Sequence, residues 1–141
     1  MIKYKTREER ELMRQSSLLV SKTLGMLAKE VKPGAIPKKL DKLGEEFIRD
    51  NGGVPGFKGF NHYEYSLCTS VNEQVVHGIP TDKPLRSGDI ISVDCGVLMN
   101  EFYGDHAYTF LVGDVKPEVK KLVKVTRESL LLGIEQLKEG N

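Results

Sequence analysis

The stretch Ile90-Ile91-Ser92-Val93-Asp94-Cys95-Gly96-Val97-Leu98-Met99 runs into Asn100-Glu101 and returns as Phe102-Tyr103-Gly104-Asp105-His106-Ala107-Tyr108-Thr109-Phe110-Leu111-Val112. It reads as a β-hairpin turning at Asn100-Glu101. Asp94 stands inside its first, apolar strand, where a carboxylate is costly to bury unless something pairs with it. With a two-residue turn at Asn100-Glu101, Met99 faces Phe102 and position 94 faces position 107. Asp105 is then a diagonal neighbour of Asp94 on the same sheet face. A turn at Met99-Asn100 would instead set the two aspartates directly opposite, and any even loop keeps them on one face. Cross-strand neighbours come within roughly 5 to 8 Å at Cβ. Carboxylates that close repel unless a cation lies between them, and two divalent ions about 3.5 to 4 Å apart would suit the pair. Such a site suits hard or intermediate ions such as Mg, Mn, Fe or Co, and Zn is also compatible. The plainer alternative is one aspartate capping a turn and the other bonding a backbone amide.

Upstream of the hairpin lie two helices. Thr6-Arg7-Glu8-Glu9 is a capping box, followed by Leu12, Met13, Ser16, Leu19, Val20, Thr23, Leu24 and Leu27 at helical spacing. This helix is expected to end near Glu30, before the Lys32-Pro33-Gly34 break. A second begins near Pro37, with Ile36, Leu40, Leu43 and Phe47 as its apolar stripe and Asn51-Gly52-Gly53 as its stop. Residues 52 to 62 read as a loop with short extended pieces, and Ser66 to Val76 as β-like with an interruption at Asn72-Glu73. Beyond the hairpin, Pro117 opens a third helix with Val119, Leu122, Val123, Thr126, Leu130, Ile134 and Leu137 on one side and Gly140 as its stop. The order ααβββα makes the class α+β.

The bulk properties exclude several classes. The 141 residues fit one domain or part of one, with 39% apolar and 29% charged residues and a net charge of +1. That balance gives no general electrostatic case for nucleic acid or for an anionic membrane. No apolar run approaches membrane length, and the N-terminus is too charged for a signal peptide, so the expected location is cytoplasmic. Cys68 and Cys95 fit no metal or redox spacing and are expected to be reduced thiols. Nor does Gly53 to Gly59 match a phosphate-binding loop.

A second cluster is Cys68-Thr69-Ser70-Val71-Asn72-Glu73-Gln74-Val75-Val76-His77-Gly78-Ile79-Pro80. His77 ends a β-like stretch before a Gly-Ile-Pro turn, where an imidazole can bond a substrate amide, ligate a metal or carry a proton. Taken alone, a histidine so placed is more often a satisfied structural one. The run Ser70-x-Asn72-Glu73-x-Val75-x-His77-Gly78-Ile79-Pro80 closely resembles the type I methionine aminopeptidases. Gly88-Asp89-Ile90, Asp94, Gly104-Asp105 and Thr109-Phe110 resemble that family in the same order, so the resemblance covers essentially the whole chain.

The resemblance implies the first half of the pita-bread, or creatinase-like, fold: an antiparallel sheet with flanking helices. It implies a metallo-exopeptidase that removes the initiator methionine from nascent polypeptides with a small second residue, using two divalent ions (Co, Mn, Fe or Zn). The expected partners are the nascent N-terminus and the ribosome, with no specific nucleic acid and no membrane. Asp94 matches the family's chelating aspartate and Asp105 the aspartate that bridges both metals. His77 matches the histidine near the scissile bond, catalytic and substrate-positioning. Cys68, Tyr63 and Phe60 fall where the family lines its methionine pocket, and a thiol with aromatic rings suits a thioether.

The chain also departs from the family. The remaining ligands, a histidine and two glutamates, and the Gly-His-Gly signature belong to the later half of the family's domain. Residues 1–141 are therefore expected to be a partial catalytic domain lacking the C-terminal half, with two aspartates holding metal weakly and the isolated chain inactive. Strand alternation turns His106 away from Asp105, and His62 is expected at the surface. Glu64 stands where the family often has proline. The competing readings are a non-catalytic relative or fragment that binds peptide or a partner protein, another peptidase of the same fold, and a half-domain that dimerises.

Overall fold

The computed structural model describes residues 3–141, so Met1 and Ile2, which open the charged N-terminal stretch, lie outside the described residues. Helix α1 spans Arg7–Leu27 and α2 spans Pro37–Asp50. Strand β1 is Val54–Pro55, β2 Leu67–Val71, β3 Ile90–Met99 and β4 Phe102–Leu111, and α3 closes the order at Pro117–Glu135. All pairings are antiparallel. β3 is the central strand: β4 runs along its whole length on one side, while β2 and then β1 share the other.

Alternation in β3 builds the core. Ile91, Val93, Cys95 and Val97 are fully buried and join Leu19, Val20, Leu24 and Leu27 of α1 and Leu40 and Ile48 of α2 in one cluster. Each such aliphatic side chain removed from water contributes about 1.5–3 kcal/mol before chain entropy opposes it. Gly104 of β4 lets α1 lie directly on the sheet, since a Cβ there would stand 2.6 Å from the Ser16 carbonyl carbon and the Ser17 nitrogen. The intervening residues, Ser92, Asp94 and Gly96, face the other side of the sheet.

α1 opens on the expected capping box, with Thr6 and Glu9 exchanging side-chain-to-backbone bonds. It stops at Leu27, and Ala28–Glu30 form a turn. In α2 the buried seam is Leu40, Asp41, Gly44 and Ile48, rotated from the expected stripe, and Leu43 is exposed. The rotation has two causes. Leu67 presses on Gly44, where a Cβ would come within 2.8 Å of its Cδ1, and Asp41 is drawn inward by two backbone amides. β2 ends at Val71, short of the expected Val76, because Asn72 turns the chain with φ 54°. α3 ends at Glu135, ahead of Gly140, and each of its residues is at least partly exposed, Leu122 and Leu132 at 61%.

Candidate metal centre

The hairpin fixes the site. Asn100 and Glu101 both take positive φ, 53° and 64°, the pattern of a type I′ turn. Met99 consequently faces Phe102, Asp94 faces Ala107 and Gly96 faces Asp105. The first of the two possible turns is the one adopted, and Asp105 is the diagonal neighbour of Asp94. On its other side Asp94 pairs with Cys68 of β2. Ser92 and Thr109 on the same face share a hydrogen bond of 2.7 Å.

Asp94 is half-buried, and its Oδ1 is buried with no hydrogen-bond partner among the described residues. Burial, reinforced by the charge of Asp105, pushes its carboxyl above the ordinary carboxylate range, against the opposing influence of His77. An unpartnered buried oxygen of this kind costs about 1–3 kcal/mol. A divalent cation would remove that cost and the repulsion together, so the donor chemistry fits the metal. The described residues contain no cluster of three or more histidine, cysteine or carboxylate donors. Asp94 and Asp105 therefore form a pair.

His77 lies in a left-handed turn with φ 57°, and its backbone is tied to β2 through the next residue, Gly78. Cys68 is 7% exposed, and burial pushes its thiol upward. Tyr63 donates from its hydroxyl to the Leu67 carbonyl at 2.8 Å, which sets its ring at the start of β2. Burial and a bond with the Cys68 side chain raise its phenol. Phe60, in a short 3-10 turn at Phe60–His62, stands apart at 70% exposure. The structure thus gathers Asp94, Asp105, His77, Cys68 and Tyr63, and leaves Phe60 exposed. His106 pairs with Cys95, faces away from the aspartates and lines a groove with Leu24, Gly25 and Phe110, while His62 is at the surface.

Three supporting residues escaped the sequence reading. Asp41 Oδ1 accepts from the Ser66 and Leu67 amides at 2.9 and 2.8 Å. Burial nonetheless holds its carboxyl above the usual range, with those two amides opposing. Glu45, one turn on, takes the Ser66 hydroxyl at 3.0 Å and the Lys58 ammonium at 2.6 Å. Together they moor to α2 the loop that carries Tyr63. Two carboxylates at i, i+4 beside Leu40, Gly44 and Ile48 were the available signal. Phe57 fills the space over Gly96, where a Cβ would lie 2.5 Å from the ring.

The chain superposes on the methionine aminopeptidase of Thermotoga maritima with a TM-score of 0.94 at 40% identity, covering 98% of this chain and 56% of that one. It also matches a Xaa-Pro dipeptidase from Bacillus anthracis with a TM-score of 0.83 at 19% identity, covering 97% and 37%, a likeness of fold alone. The fold is the creatinase-like α+β fold of metal-dependent peptidases. Residues 11–141 match metallopeptidase family M24, and the chain belongs to that family. Along its whole length it is 47% identical to a methionine aminopeptidase of Clostridium acetobutylicum, of which it covers 57%. The chain spans about half the length of the curated relatives it matches.

Proposed function

We propose that this chain carries the substrate side and two metal-binding carboxylates of a methionyl aminopeptidase, which removes the initiator methionine from nascent proteins with a small second residue. The observation that carries the reading is the buried, unpartnered Asp94 Oδ1 beside Asp105, in a chain 47% identical to a named methionine aminopeptidase. Asp94 and Asp105 would hold the divalent ions. When bound, such ions polarise a peptide carbonyl and lower the pKa of water near it. His77 would hydrogen-bond the substrate at the scissile peptide. Cys68 and Tyr63 would receive the methionine side chain, with Phe60 at the pocket rim, and a thiol beside an aromatic ring suits a thioether. The nascent N-terminus would be the substrate, the ribosome the place of encounter and the cytoplasm the compartment. Among the described residues no helix is long and apolar enough to cross a membrane.

The test is a chimera that joins this chain to the second half of the Clostridium acetobutylicum relative. Metal-dependent release of methionine is expected from a Met-Ala peptide and not from a Met-Leu peptide. Equal release from both, or from neither, overturns the assignment.

A further inference from the structure

His77 sits at the end of a loop pinned at both ends, and the proposed reaction gives the pinning side chains no role. At the near end the backbone of Gly78 lies against β2. The Thr69 N–H donates to the Gly78 carbonyl at 2.7 Å, and the Gly78 N–H donates to Ser70 Oγ at 3.0 Å. The approach is so close that a Cβ at position 78 would stand 2.3 Å from the Thr69 oxygen. Ser70 is itself buried, at 4% exposure.

At the far end Asn72, with φ 54°, starts the loop. Its Nδ2 donates to Asp89 Oδ1 at 2.9 Å, and its Oδ1 accepts from the Ile90 N–H at 3.0 Å. Asp89 uses its second oxygen to accept from the Arg86 N–H at 2.8 Å. The loop entry is thereby fixed to the first residue of β3, the strand that carries Asp94.

Between the pins Val75 and Val76 are 86% and 65% exposed, so the loop has little packing of its own. His77 nevertheless holds φ 57°, a conformation an L-residue keeps only where its surroundings over-determine it.

We infer that Ser70 and the Asn72–Asp89 pair are positioning residues for His77, holding its left-handed peptide beside the strand that pairs with Asp94. The inference rests on the aminopeptidase reading for the purpose of the device, but the geometry can be tested apart from it. Ser70 acts through the Gly78 amide, which is the peptide that follows His77. Asn72 and Asp89 act by fixing where the loop departs from the sheet. Losing either pin leaves the exposed segment free to leave the left-handed turn and carry the imidazole away.

The experiment is NMR on the isotope-labelled 141-residue chain, with Mn²⁺ as the probe. In the parent, Mn²⁺ is expected to broaden the amides of Cys95 and Ala107 and the ring signals of His77 together. In Ser70→Ala and in Asn72→Ala the broadening at Cys95 and Ala107 should persist, and that at His77 should fall severalfold. His77 broadening equal to the parent's in both variants overturns the inference. Absence of broadening at Cys95 and Ala107 in the parent would instead sink the metal reading. The inference is then decided by the His77 Cα and Cβ shifts, which report the left-handed backbone. Their loss in the variants supports it, and their retention in both overturns it.

Discussion

Asp105 faces Gly96 across the β3–β4 pair, one diagonal step from Asp94. Residue 96 offers no side chain to come between the two carboxylates, and the Phe57 ring occupies the space a Cβ there would need. The fold therefore brings two acidic groups together on the sheet face opposite α1 and α2, at a cost it does not itself offset.

That cost should be measurable without metal. Asp94→Asn removes one charge from the pair and is expected to stabilise the metal-free chain by about 1 kcal/mol, through relief of charge burial and of repulsion from Asp105. Because the folded carboxyl is raised, the native state binds its proton more tightly than the unfolded chain. The parent's stability therefore falls as pH rises from about 4 toward the folded value, and the variant lacks that fall. Urea unfolding at several pH values in a chelator decides it; a destabilised variant would contradict the prediction.

Asp41 separates two roles of one side chain. Asp41→Ala orphans the amides of Ser66 and Leu67 and is expected to cost about 2–4 kcal/mol. Asp41→Asn keeps an acceptor and removes a charge that burial disfavours, so it should cost far less. The raised carboxyl means the parent loses stability relative to Asp41→Asn as pH rises through the carboxylate range. Equal losses in the two variants would show that the charge, not the acceptor, secures the start of β2.

Gly104 tests the contact that positions the whole sheet. Gly104→Ala drives a Cβ toward the Ser16–Ser17 backbone of α1 and should destabilise by about 2–3 kcal/mol, at the upper end for overpacking. Thermal unfolding reads this directly. A shift within error of the parent would mean that α1 moves freely off β4.

Much of this was legible in the sequence because local rules settled it. The capping box, the Pro37 start and the even loop of the hairpin each act over a few residues, so the placing of Asp94 and Asp105 on one sheet face followed from counting, while the choice between the two registers came from the turn itself. The missed features depend on distant partners. The seam of α2 rotated because Leu67 and the Ser66–Leu67 amides lie on it, and no periodicity within α2 encodes that. β2 ended early because Asn72 found Asp89 and Ile90, some 17 and 18 residues away. The apolar side of α3 was readable as a stripe, but its exposure was not. His77, Cys68, Tyr63 and Phe60 became candidates only through the motif that resembles a family, since their residue types alone admit structural roles.

The isolated chain should not hydrolyse peptides. The described residues offer no cluster of three metal donors, and two carboxylates are few for a two-metal site. Incubation with a Met-Ala peptide and Mn²⁺ or Co²⁺ is expected to release no methionine above the metal-only control. Release that depends on both chain and metal would contradict this.

The most direct test of the central claim is calorimetric titration of Mn²⁺ into the parent chain and into the Asp94→Asn, Asp105→Asn double variant. Weak but measurable uptake by the parent is expected, lost in the double variant while its unfolding remains cooperative. Identical uptake by the two proteins would contradict the assignment of Asp94 and Asp105 as metal ligands.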